Sequence, residues 1–176
     1  FGDGACLNGH CADGYCCDTG CKDACMSCGL PASRGRCQPA PAGSDPSSDC
    51  PTGQVCDGSG GCAKVGGETC EGSDECIGGA CVDGVCCASL CTEACYACNV
   101  PGSVGRCVPV GFGEDPGGDC EVGGGCDGAG ACLQPPGATC ERRQDCLSGW
   151  CVGGACCSTE CNRLCSVCNA TGTEGI

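Results

Sequence analysis

The sequence is short of almost everything that builds an ordinary globular core. It has one Trp, one Met, two Tyr and two Phe. Taking cysteine and alanine out of the hydrophobic fraction leaves 25 large apolar side chains among 176 residues. So few cannot form a sizeable core, and without another source of stability the composition would read as disorder. Positive charge is also scarce. Eight Lys and Arg stand against 22 Asp and Glu, for a formal net charge of −14. That balance argues against nucleic acid and against anionic membrane surfaces as partners. No apolar run approaches the roughly 20 residues that a membrane-spanning helix needs, so no membrane span is expected.

Histidine is nearly absent too. His10 is the only one, and Ala80 and Trp150 stand at the corresponding positions further on. With no repeated Ser, His and Asp set, nucleophilic catalysis has no support, and the chain is not expected to be an enzyme. The missing His also bears on metals. Paired Cys-x-x-Cys sites could supply the tetrahedral thiolates of a zinc or metallothionein-like site, but no Cys-x-Cys occurs, His10 is the only His, and the even cysteine count per period fits bridges better.

What the chain has is 31 cysteines and 35 glycines. Cysteine at this density marks a disulfide scaffold. Each bridge stabilises a fold by about 2–4 kcal/mol, chiefly by restricting the unfolded chain. Persistent disulfides need an oxidising compartment, so an extracellular or cell-surface location is expected.

The cysteines repeat with a period of 70 residues and no gap. Cys6, Cys76 and Cys146 correspond, as do Cys50 and Cys120, and Cys70 and Cys140. The complete set is Cys70, Cys76, Cys81, Cys86, Cys87, Cys91, Cys95, Cys98, Cys107, Cys120, Cys126 and Cys132. Twelve is an even number, compatible with six internal bridges, although spacing alone cannot give their partners. Natural boundaries fall before Gly67 and Gly137. They give a first unit at 1–66 that lacks its first Cys, a complete unit at 67–136, and a truncated one at 137–176.

The expected fold is a set of small disulfide-rich repeats, irregular and loop-rich, with short hairpins and one or two helical turns per 70-residue unit. Asp83–Gly84 is a strong hairpin-turn signal inside Cys70–Cys87. Cys87, Cys91, Cys95 and Cys98 are spaced by four, four and three, which would align them on one face of a short helix. Cys107–Cys132 is rich in Gly, Pro and Asp and reads as loops with short strands. The vicinal pairs Cys16–Cys17, Cys86–Cys87 and Cys156–Cys157 are expected to send bridges in different directions, since a bridge between neighbours closes a strained ring.

The run CVDGVCC…C…CYACNVPGSVGRCVPV…CDGAGAC resembles the cysteine-rich repeats of large secreted or cell-surface proteins of myxobacteria and related bacteria. The resemblance covers essentially the whole chain. It implies an extracellular location and repetition, and it carries no catalytic residues.

Other motifs are weaker. Cys-x-x-Cys occurs at Cys25/Cys28, Cys95/Cys98 and Cys165/Cys168, without the βαβ setting of a redox enzyme and without the following His of a haem site. Asp45, Asp49 and Asp57, repeated as Asp115, Asp119 and Asp127, are calcium candidates. Turn chemistry accounts for them equally, because each precedes Pro, Cys or Gly. No other cofactor is expected. Asn169-Ala-Thr is a glycosylation sequon, and 39–52 offers Ser and Thr for O-linked glycans. Trp150, Tyr15, Tyr96, Phe1 and Phe112 are the only aromatics, and some are expected to be partly exposed.

The reading that absorbs most of this is a structural segment of an extracellular filament or surface appendage, self-associating, with the same repeats continuing beyond both ends. The alternative is an adhesin stalk, or a ligand-binding or inhibitor module of knottin-like repeats.

Overall fold

The structure, a computed structural model, describes residues 6–160. Its packing divides into two compact units. One runs as far as Leu90 and includes Val104–Arg106; the other holds Cys91–Ser103 and the chain from Cys107 onward.

Regular structure is confined to two-stranded antiparallel hairpins with strands of two or three residues. In the first unit Cys11–Ala12 pairs with Tyr15–Cys16, Met26–Ser27 with Gln38–Pro39, Gln54–Cys56 with Cys62–Lys64, and Cys81–Val82 with Val85–Cys86. In the second, Tyr96–Ala97 pairs with Val108–Pro109, Gly125–Cys126 with Cys132–Leu133, and Cys151–Val152 with Ala155–Cys156. The Asp-Gly turns form as the sequence suggests. Asp83 and Gly84 both have positive φ, 54° and 75°, as do Asp13 and Gly14 at 53° and 77°. Two successive left-handed residues match the right-handed twist of the flanking strands, which is why Asp-Gly closes such a turn.

The helical turns expected over Cys87–Cys98 do not form. That stretch is bends and turns leading into the strand at Tyr96. Cys91 and Cys95 adopt left-handed φ of 48° and 62°, and Cys21 and Cys25 in the first unit do the same at 31° and 58°. A right-handed helix cannot pass through such residues. The bridges explain the choice: Cys91 reaches forward to Cys107 and Cys95 to Cys126, so one shared helical face would aim them wrongly. Helical geometry appears elsewhere, as single 3₁₀ turns at Ser73–Glu75 and Arg143–Asp145.

Sulfur is the core. The largest fully buried side chains are all cysteines, among them Cys28, Cys56, Cys98, Cys126 and Cys156. Alanine and a few aliphatics fill between them, as Ala40 does beside Cys25 and Cys56, and Ala97 and Val110 beside Cys95 and Cys126. Larger apolar residues sit outside: Phe112, Leu90 and Val122 are exposed.

The bridges recur with the sequence period. Cys25–Cys56 and Cys95–Cys126 correspond, as do Cys50–Cys62 and Cys120–Cys132, Cys21–Cys37 and Cys91–Cys107, and Cys70–Cys81 and Cys140–Cys151. Cys76–Cys86 recurs as Cys146–Cys156. Cys6 stands at bonding distance from both Cys11 and Cys16, and the recurrence assigns its bond to Cys16. Cys17 bonds Cys28, and Cys87, Cys98 and Cys157 are disulfide-bonded as well. The first vicinal pair therefore behaves as expected, Cys16 bridging backward and Cys17 forward. None of these assigned bridges spans Gly66–Gly67 or Pro136–Gly137.

Candidate functional site

The most elaborate arrangement built from these elements is a junction that occurs twice. In the first, the segment after the hairpin ending at Lys64 lies along the hairpin that ends at Cys86. The Gly67 N–H donates to the Cys86 carbonyl at 2.8 Å, Cys86 N–H to Glu68 O at 2.8 Å, and Cys70 N–H to Gly84 O at 3.0 Å. Lys64 and Cys76 form a parallel bridge, and Ile77 N–H donates to Lys64 O at 2.9 Å. The segment thus acts as a third strand. Its sequence allows this because Gly67 takes φ +94°, turning the chain into line before Thr69 pairs with Val85. The Cys70–Cys81 bridge then fastens it.

Seventy residues later the same bonds recur. Gly137 N–H donates to Cys156 O, Cys156 N–H to Ala138 O, and Cys140 N–H to Gly154 O, at 2.8, 2.8 and 3.0 Å. Gln134 pairs with Cys146, and Leu147 N–H donates to Gln134 O at 3.0 Å.

A carboxylate stands at the equivalent position of each junction. Glu75 accepts Lys64 Nζ and the N–H groups of Glu71 and Gly72. The Lys64 hydrogen bond, followed by the Glu71 N–H, holds its pKa below the usual carboxylate value. Asp145 clasps its own turn, its pKa lowered by the N–H groups of Arg142 and Glu141, while its backbone carbonyl accepts the Gln134 N–H at 2.7 Å.

The calcium candidates are placed as turn formers. Asp57 Oδ1 accepts the N–H groups of Ser59 and Gly61 at 2.6 and 3.0 Å, and Asp127 Oδ1 those of Ala129 and Ala131 at 2.7 and 3.0 Å. These donors lower both pKa values, led by Ser59 at Asp57 and Ala131 at Asp127. Asp45 and Asp115 accept the N–H groups of Asp49 and Asp119 at 2.9 and 2.8 Å. Asp119 in turn accepts the Cys95 N–H at 3.0 Å. These carboxylates thus clasp the backbone of their own loops, which is the turn chemistry the sequence offered for them.

Cysteine sulfurs also gather closely. Cys25 Sγ lies 3.2 Å from Cys50 Sγ and 3.7 Å from Cys62 Sγ, and Cys95 Sγ lies 3.4 and 3.7 Å from those of Cys120 and Cys132. These are two disulfides stacked side by side in each unit. A metal would need thiolates, and a bridged sulfur offers none. Among the described residues the Cys-x-x-Cys pairs do not close on themselves: Cys25 bonds Cys56 while Cys28 bonds Cys17, and Cys95 bonds Cys126.

The depressions are open and shallow. One of about 490 Å³ is bordered by Val100, Pro101, Glu114 and Pro116, and another of about 240 Å³ by Tyr15, Leu30, Pro31 and Pro46. Among the aromatics, Tyr15 and Phe112 are exposed, and Arg143 stacks on the Trp150 ring at 4.0 Å. Asn169 and the Cys165/Cys168 pair lie outside the described residues. Spacing alone could not have found the junction: Gly-x-Thr-Cys is legible at Gly67 and Gly137, but its pairing with the next hairpin is not.

No protein-family model, no curated protein and no solved structure matches this chain. Among the described residues no helix is long and apolar enough to cross a membrane.

Proposed function

We propose that the chain is a structural segment of an extracellular filament or surface appendage assembled from disulfide-stapled repeats. The observation that carries this reading is the junction itself. One stretch of the repeat hooks onto the hairpin that follows it, through the same four hydrogen bonds and the same bridge, at Lys64–Cys86 and again at Gln134–Cys156. Of these, the Lys64–Ile77 and Gln134–Leu147 bonds cross the unit boundaries before Gly67 and Gly137, and units that contact their sequence neighbours by one recurring mode build quasi-one-dimensional arrays. The bridges fit an oxidising location outside the cell, and the strong negative charge disfavours nucleic acid. Electron micrographs of the secreted, non-reduced material are the test. Uniform filaments that dissolve in reductant are expected. Monodisperse particles at all concentrations would remove the reading in favour of a discrete binding module.

A further inference from the structure

The stacked bridges bring four sulfurs to one point. Cys95 Sγ lies 3.4 Å from Cys120 Sγ and 3.7 Å from Cys132 Sγ, and Cys120 Sγ lies 4.0 Å from Cys126 Sγ. The remaining two, Cys126 and Cys132, stand directly opposite each other across their hairpin. The arrangement recurs in the first unit. There Cys25 Sγ is 3.2 and 3.7 Å from Cys50 Sγ and Cys62 Sγ, and the sulfurs of Cys25, Cys50 and Cys56 all lie within 4.8 Å of one another.

Two disulfides in such contact have two chemical options beyond stapling. They can exchange partners, or, once reduced, they can hold one cation between them. The geometry favours the second. In exchange, the attacking thiolate enters opposite the sulfur that leaves. An in-line approach to Cys95 would put Cys126 Sγ a further 2.04 Å away than Cys95 Sγ. Cys120 instead stands abreast of that bond, at 3.4 Å from one sulfur and 4.0 Å from the other. A tetrahedral thiolate site has the opposite requirement. Zinc–sulfur bonds of about 2.3 Å set the ligand sulfurs about 3.8 Å apart. The distances between the bridges are already close to that spacing. Only the two bonded edges, at 2.04 and 2.07 Å, must open.

The chain also suits the role. Cys120, Cys126 and Cys132 are separated by five residues each, so the loops between these ligands are short and cheap to close. Cys95 and Cys126 are buried while Cys120 and Cys132 are half-buried, which leaves a side from which reductant and cation can enter.

We infer that, with both bridges opened, Cys95, Cys120, Cys126 and Cys132 form a tetrahedral thiolate site for a thiophilic divalent cation, and that Cys25, Cys50, Cys56 and Cys62 form its twin. The chemistry balances with a phosphine as reductant. Each bridge, one phosphine and one water give two thiols and one phosphine oxide. The cation then displaces four protons from the four thiols, leaving a doubly negative site. One cation would tie together the same four positions that two disulfides tie, so the loops keep their closure in a chain whose sulfurs are reduced. The site is a property of the single chain and goes beyond the filament reading.

The experiment takes the full chain, reduced with phosphine under anaerobic conditions and given about two equivalents of Zn²⁺, one for each site. A pulse of iodoacetamide and peptide mass spectrometry then read each cysteine. Alkylation of the eight named cysteines is expected to slow by about tenfold or more against the zinc-free chain. Cysteines of other bridges, such as Cys91 and Cys107, are expected to react as before. In a second measurement Co²⁺ replaces Zn²⁺ and gives the visible absorption of a tetrahedral cobalt thiolate. Cys120→Ser with Cys132→Ser is expected to remove about half of it, since one of two sites is lost. Both readings start from the reduced chain and do not require the variant to form its bridges. Protection that is absent, or spread evenly over all the cysteines, overturns the assignment. So does a cobalt spectrum that the double substitution leaves unchanged.

Discussion

Gly105 rests against the backbone of Gly67, with no space for a β-carbon between them. The contact is what lets the added strand lie flat beside its hairpin. Gly102 also has a left-handed φ, +83°, but nothing stands within 4 Å of its would-be side chain. The two positions separate backbone strain from collision. Gly102→Ala is expected to cost about 1 kcal/mol, and Gly105→Ala about 3 kcal/mol or more. Thermal melts of the two variants check this; equal losses would show that the close approach contributes nothing.

Removal of single bridges should rank by the loop each closes. Cys95 and Cys126 are 31 residues apart, and Cys120 and Cys132 are 12 apart. Replacing either pair by Ser is expected to cost about 2–5 kcal/mol, and the longer loop about 1 kcal/mol more. Denaturant titration of both double variants measures the difference. A larger loss at Cys120/Cys132 would show that native packing, not loop closure, sets the order.

Acid should weaken the molecule through its clasps. Asp57, Asp127, Glu75 and Asp145 all have folded pKa values below their ordinary ones. Their contribution is therefore fully present above the unfolded carboxylate pKa, about 4, and is lost as pH falls through the lower folded values. Stability followed from pH 6 to pH 2 should fall below about pH 4. Asp57→Asn with Asp127→Asn should flatten that fall. An unchanged acid limb in the double variant would assign it to other groups.

Reductant and chelator should have opposite effects. With sulfur as the core, reduction leaves Ala40, Ala97 and Val110 as buried apolar residues with little to pack against. Protease resistance is expected to vanish in reductant and to persist in EDTA. Rapid digestion in EDTA alone would transfer the structural role to a bound cation.

The Asp-Gly hairpins were legible because that dipeptide dictates its own backbone: Asp83–Gly84 needs no tertiary partner to favour two left-handed residues. The density of cysteine likewise announced a stapled, loop-rich fold. The region from Cys87 to Cys98 was not legible. Its spacing of four, four and three imitates a helical face, yet the partners of Cys91 and Cys95 lie 16 and 31 residues ahead. Twelve cysteines admit too many pairings for spacing to choose, and the pairing decided the local backbone. The acidic residues show the reverse case. Asp57 and Asp127 read in the sequence only as acidic residues before Gly, and the N–H groups they clasp, which belong to their own loops, become visible only in three dimensions.

The vicinal cysteines bear on how the chain would carry load. Cys16 is tied backward to Cys6 and Cys17 forward to Cys28, so two covalent rings are joined by a single peptide bond with no slack between them. A pull along the backbone would meet closed loops on both sides of that bond. Those loops cannot feed out length without breaking sulfur–sulfur bonds. Stretched in a force spectrometer, such a molecule would lengthen little before covalent rupture, and would extend in discrete increments once a reductant opened its rings.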